Sequence, residues 1–410
     1  MPPRGVLFDI STLEVGENEE SNFFSIAISA GRIVHMEYNF SLLQRKEKEM
    51  LMAIVRAKRI SRTALQKSSD LKIANFYNTV DALCRSGFVN KTESPNHEKK
   101  GRPSEFLSLN EECLKFLYIF LSKSKFQLGI SNLNGKLSET EEMKVDENFT
   151  ASDFLERCRS YHSRMKERYP IAIAAFVMGI NPNSRVHSGF NDTFFDPELE
   201  MKLRSTLGIP LFSDTIARAT ALGIYNEKYS QKVSSLIFCN LSTGIGIGMV
   251  NERINEDFWY SNRANIEHWS LDPNGRMCYC GKRGCLATSL GTNSIVQNAR
   301  SLVEEGRASL LNGDFGFPDV VQAANSGDAV AREVMDEAAK AFVQALGNLY
   351  SIFHFEVVAI GGTTCRDNNR FFQTVRKLMP KDLFDFYIEK DFISKASKGI
   401  CYRIIRELLS

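Results

Sequence analysis

The chain has 410 residues, 43% of them hydrophobic and 24% charged, too many for one ordinary core and enough for two or three domains. No apolar run is long enough to span a bilayer, the first twenty residues turn acidic without a signal-peptide stretch, and nine cysteines are an odd number for a disulfide framework. Composition therefore argues against a membrane-spanning or disulfide-stapled protein and predicts a cytoplasmic one.

Net charge is only +2, but residues 58–104 carry ten Lys or Arg against four acids, a block of +6 on a remainder of −4. Such a block is the footprint of a phosphate-binding module, although a solvated face can have the same composition.

In chain order, residues 1–37 form an extension in which FFSIAISAGRIVHMEYNF could pair two strands around Gly31 or stay extended; no functional reading attaches to it. Residues 43–56 place Leu43, Met50, Leu51, Ile54 and Val55 on one face of an amphipathic helix. Ser61 is positioned to N-cap a short helix to about Lys67, and Ser68–Asp70 make a turn. A second helix is predicted from about Lys72 to Cys84, with Ile73, Phe76, Val80 and Leu83 apolar and Gly87 as its stop.

Two short helices across a tight turn are the helix-turn-helix signature. Lys72, Asn75, Tyr77 and Asn78 then lie near the exposed N-terminal half of the second helix, where an Asn can pair bidentately with adenine, and Ser61 and Arg62 ahead of it are further DNA-binding candidates. Phe88–Lys91 and Phe106–Leu109 alternate as two strands around a basic loop, TESPNHEKKGRPSE, which fits a wing. Lys99, Lys100 and Arg102 at its tip would meet phosphate or the minor groove. A plain three-helix bundle with a charged loop is the bland alternative.

From about Cys113 onward strand-like and helical patterns alternate, as in an α/β domain. FLYIFLSKSKFQLGISNLNGKL reads as a hairpin. IAIAAFVMG and SSLIFCNLSTGIGIGMV are apolar strands running into glycines, and AREVMDEAAKAFVQALGNLYSIF is an amphipathic helix before the strand EVVAIGG. Within this region His268, Cys278, Cys280 and Cys285 form H-x9-C-x-C-x4-C. Three thiols and one imidazole at this spacing suit a closed, four-coordinate structural Zn²⁺ site, with Gly281 and Gly284 allowing tight turns. Buried free thiols beside a lone histidine are the alternative.

These motifs resemble the ROK family (repressors, open reading frames, kinases) from about residue 43 to the C-terminus. The N-terminal match is Ser61-Arg62 with Leu65, then Leu71, Val80, Leu83 and Gly87, then Gly101-Arg102-Pro103. The knuckle is similar to the family's G-H-x9–11-C-x-C-G-x2-G-C-x-E, with Glu267 replacing its first glycine and Thr288 or Ala287 its closing glutamate. The resemblance implies a winged helix-turn-helix (38–110) fused to a two-lobed, actin-like (ribonuclease H-like) sugar-kinase body. The small lobe would be 113–235 plus about 386–410, and the large lobe with the zinc site 236–385.

It also implies a cleft, retained only in part. Phe120, in Ile119-Phe120-Leu121-Ser122-Lys123, stands where the family's first phosphate loop has its magnesium-binding Asp. The second loop keeps Thr243, Gly244 and Gly246, and the adenosine position keeps Gly361 and Gly362. The implied sugar-binding positions are Gly179, Ser213, Asp214, Asn265 and His268; Asp214 lies where the kinases place their general base, and Asn265 replaces a sugar-binding glutamate.

Phosphoryl transfer needs anchored Mg²⁺, so the expectation is a regulator that is not a kinase. Its implied partners are an inverted-repeat duplex operator, a sugar or sugar-phosphate effector, and a second copy of itself in a homodimer or dimer of dimers, with no membrane. An active kinase carrying a DNA-binding head, and a regulator controlled by a protein partner, are the competing readings.

Overall fold

The structure is a computed structural model that describes residues 43–93, 105–146, 148–179, 198–230, 232–251, 266–362, 369–379 and 383–410, together with the backbone of two strands in the N-terminal extension. Those strands, β1 (Ile26–Ser29) and β2 (Arg32–His35), pair antiparallel. This is the paired form of the two that the sequence left open.

The head follows from its apolar spacing. Helix α1 (Arg45–Ala57) buries Met50, Leu51, Ile54 and Val55. Strand β3 (Arg59–Ser61) leads into α2 (Arg62–Lys67), capped by the Ser61 Oγ, which accepts from the Ala64 amide at 3.1 Å. Helix α3 (Ile73–Arg85) buries Phe76, Val80 and Leu83, and the chain turns at Gly87 with φ +79°. Ile73 departs from expectation: it lies one turn ahead of the first buried position, Phe76, and is 64% exposed. Strands β4 (Val89–Glu93) and β5 (Glu105–Leu109) form the wing hairpin, with β3 on the other edge of β5. The wing tip, with Lys99, Lys100 and Arg102, lies outside the described residues.

The body contains two sheets built by one rule. Strands β6 (Lys115–Leu121), β7 (Lys125–Ser131) and β8 (Leu137–Lys144) are antiparallel. After α4 (Ala151–Met165), β9 (Ile171–Met178) runs parallel to β6; after α5 (Leu199–Leu207), β10 (Leu211–Thr215) runs parallel to β9. The order is β10-β9-β6-β7-β8, and all eight residues of β9 are buried, as a central parallel strand requires.

Helix α6 (Ile216–Ile224) crosses to the second sheet, where β11 (Ser235–Leu241) and β12 (Ile245–Asn251) form a hairpin. Past α7 (Thr292–Glu304), α8 (Phe317–Asn325) and α9 (Ala329–Phe353), strand β13 (Val357–Gly361) runs parallel to β11. Past α10 (Arg370–Leu378), β14 (Asp385–Ile388) runs parallel to β13. A hairpin followed by parallel strands, twice over, is the two-lobed actin-like fold of paired ribonuclease H-like units. Because β14 pairs within the second sheet, the large lobe extends through Ile388 rather than ending at 385.

Helix α11 (Phe392–Leu409) returns to the first lobe and lies against α6. The two backbones nearly touch: a Cβ on Gly223 would be 1.9 Å from the Lys395 carbonyl, and one on Gly399 1.8 Å from that of Ala219. Residues of α1 and α3, of β6, and Ile400, Ile404 and Leu409 of α11 share one apolar cluster. The head is thus packed onto the small lobe. Among the described residues no helix is long and apolar enough to cross a membrane.

Candidate functional site

The head presents a polar helix face. Lys72, Asn75, Tyr77 and Asn78 are all exposed on or just before α3. Arg62 is spent differently: its guanidinium donates to Glu105 at 2.6 Å and Asp81 at 2.9 Å, and lies 4.4 Å over the Tyr77 ring. Lys91 of the wing donates to the same Asp81 oxygen at 2.9 Å. This network ties α2, α3, β4 and β5 together.

In the body, Phe120 is 2% exposed and packed into the core shared with the head. Three of the four loop glycines are crowded by their neighbours. A Cβ on Gly246 would meet the Ala217 Cβ at 3.2 Å, and one on Gly362 (φ +112°) the Leu241 carbonyl at 2.2 Å. Phe238 blocks a side chain at Gly361 at 2.9 Å. A Cβ on Gly244 would touch only the Glu267 carboxylate, at 3.5 Å. Thr243 has its carbonyl 2.9 Å from where a Gly291 side chain would start. The Glu267 carboxylate therefore stands beside the turn at Gly244, within electrostatic reach of Lys123.

Asp214 is 4% exposed and doubly paired, to Arg218 at 2.9 Å and Arg403 at 3.3 Å; the Thr215 amide donates to it at 2.7 Å. Burial pushes its carboxyl up from the ordinary range, against the pull of the two guanidinium groups. Arg403 also donates to the Ser213 carbonyl at 2.6 Å. Gly179 ends β9, its amide donating to Leu121 at 2.7 Å, and a side chain there would press on Ser122 at 3.1 Å. Asn265 lies outside the described residues. The sequence reading missed Arg218 and Arg403. The i,i+4 spacing of Asp214 and Arg218 could have shown the first, but nothing local marks a partner 189 residues away.

The knuckle brings its four residues together. The ligand atoms of His268, Cys278, Cys280 and Cys285 all lie within 4.8 Å of one another. Cys280 and Cys285 sulfurs are 3.5 Å apart, and the His268 Nδ1 is 3.5 Å from the Cys278 sulfur. Tetrahedral Zn²⁺ with Zn–S of ~2.3 Å needs edges of about 3.7 Å, so this donor set fits the ion. Burial pushes the thiols of Cys278 and Cys285 up, Cys285 to about 12, a cost that a bound cation removes. The other ring nitrogen, Nε2 of His268, is buried and lacks a hydrogen bond; Glu267 is 3.4 Å away but poorly aligned. One imidazole thus faces the ion site and keeps a second nitrogen for something else.

Fold and site together define a helix-turn-helix head on a sugar-kinase-like body. The ROK family model matches residues 121–400, and the chain belongs to that family. It is 25% identical over 368 residues to a putative xylose repressor of Caldicellulosiruptor, covering 84% of this chain and 90% of that one. It is 24% identical to the DNA-binding transcriptional repressor Mlc of Escherichia coli, covering 74% and 77%. Among solved structures, a ROK family transcriptional regulator homologous to the E. coli Mlc protein superposes with a TM-score of 0.70 at 20% identity, covering 89% of this chain and 98% of that one.

Proposed function

We propose that this chain is a sequence-specific DNA-binding repressor of carbohydrate metabolism, responsive to a sugar or sugar phosphate and lacking kinase activity. The observation that carries it is the pairing of an exposed, polar α3 with a body whose phosphate-loop acid is the buried Phe120. Repressor relatives matched over most of their length support the same reading. Lys72, Asn75, Tyr77 and Asn78 read base edges, and the wing residues Lys99, Lys100 and Arg102 meet the backbone. Two copies present two heads to an inverted repeat.

Zn²⁺ is the ion of the knuckle, held by His268 Nδ1 and three thiolates; when bound it cross-links the loop and fixes the ring of His268. The unpartnered Nε2 then offers a hydrogen bond to a sugar hydroxyl, so ion and effector share one residue. Gly179 and Ser213, with Asn265 as the family resemblance implies, are the effector's other positions, and Asp214 and Ser213 are joined through Arg403.

Release of DNA tests the effector claim. A fluorescent operator duplex bound to the full chain is titrated with D-xylose, D-glucose and their phosphates. Loss of anisotropy with one of them, abolished by His268→Gln, supports the reading; release insensitive to that change contradicts the site.

A further inference from the structure

The end of α6 does not stop as an ordinary helix. Residues Tyr225–Tyr229 continue it as one π-turn, a rare geometry that costs backbone hydrogen-bond quality and persists where surroundings hold it. Three parts of the molecule hold this turn. From the head, Lys58, which follows α1 with φ +61°, donates its Nζ to the Glu227 carbonyl at 2.8 Å. From α11, Lys395 and Lys398 donate to the two Glu227 carboxylate oxygens at 2.7 and 2.8 Å. From the second sheet, Tyr387 of β14 has its ring 4.9 Å from the Lys228 ammonium, which donates to Glu389 just beyond that strand at 2.7 Å.

Charge makes Glu227 the keystone. Lys58, Lys395 and Lys398 gather around it, and Lys395 is 7% exposed. Without the carboxylate, the three ammonium groups would face one another beneath the head, with Lys232 adding to the repulsion at Lys58. The same α11 that carries Lys395 and Lys398 reaches the ligand side two turns later, where Arg403 grips Ser213 and Asp214. At Gly223 and Gly399 the backbones of α6 and α11 lie too close for a side chain on either glycine.

We propose that this π-turn is the clasp through which lobe geometry sets the pose of the DNA-binding head, with Glu227 and Lys58 as positioning residues. The proposal rests on the DNA-binding reading above. A shift of α11 at Asp214 displaces Glu227, and with it the carbonyl that anchors Lys58 at the end of α1. Neither residue reads DNA; each acts through the head's orientation.

The test compares the full-length wild type with Glu227→Gln, Lys58→Met and the double variant. Two readouts are taken: affinity for a selected operator across a salt series, and amide hydrogen exchange over Ile54–Ser61 and the zinc knuckle. Each single change should weaken operator binding about tenfold and speed exchange at the end of α1 about tenfold, leaving the knuckle untouched. The double variant should lose no more than either single one, because both break the same clasp. The slope of affinity against salt should stay the same, since no phosphate contact is removed.

Additive losses, a changed salt slope for Lys58→Met alone, or exchange unchanged in Glu227→Gln would overturn the clasp. If the wild type selects no operator, the DNA-binding reading fails, and exchange at α1 alone still decides the clasp. Should Glu227→Gln misfold by circular dichroism, Lys398→Gln, which keeps the carboxylate and its Lys395 bond, takes its place with the same expectations.

Discussion

At the scale of single residues, the head separates exposed polar side chains from ion-paired ones. Asn75 and Asn78 stand exposed on α3, so Asn75→Ala or Asn78→Ala should cost about 1–3 kcal/mol on the selected operator and much less on random duplex. Competition binding against both DNAs measures this, and equal losses would place the reading face elsewhere. Arg62 differs because its charge is bound by Asp81 and Glu105. Arg62→Ala should lower the stability of the head by about 1–3 kcal/mol and weaken both DNAs alike. The sequence named all these positions but could not divide them. Asp81 and Glu105 lie 19 and 43 residues from Arg62, and nothing local marks them as its partners. Ile73 misled for a related reason, since helical spacing gives a direction and not the depth at which neighbours end.

Among the elements, the α6–α11 join and the zinc knuckle carry most of the consequence. Gly399→Ala puts a methyl 1.8 Å from a carbonyl oxygen and should destabilise the body by about 3 kcal/mol or more, read as a fall in the denaturation midpoint. Glu227 gives the same join its acid response. Burial would raise its carboxyl, but hydrogen bonds from Lys395 and Lys398 hold it at about 2 against an ordinary 4.5. A folded value below the unfolded one means that the contribution is complete above pH 4.5 and lost as pH falls toward 2. Acid unfolding of Glu227→Gln should therefore lack that part of the wild-type slope. Chelation of the knuckle should lower the melting temperature by about 5 °C or more and abolish the sugar response, and an unchanged melt would remove the structural role given to the ion. The knuckle was legible from spacing alone because its ligands fall within eighteen residues. The helix join was not, because glycines that meet across 176 residues leave no local pattern.

For the molecule as a whole, the proposed reading gives a kinase-like frame the work of a regulator. Phe120 is buried where an acid would anchor magnesium, Glu267 stands against the remaining glycine turn, and Asp214 is paired with two arginines. ATP with D-glucose or D-xylose should give no sugar phosphate, and turnover that Asp214→Asn abolishes would contradict this. The alternation of strands and helices made the two-lobed body readable from sequence. The packing of head onto small lobe was hidden, since it depends on α1, β6 and α11 meeting from distant parts of the chain. The central claim, a sequence-specific regulator, is tested most directly by selecting bound duplexes from a random pool with the full-length protein. The account predicts enrichment of one inverted repeat with half-sites spaced by a whole number of helical turns. Recovery of only salt-sensitive, sequence-blind binding would contradict it.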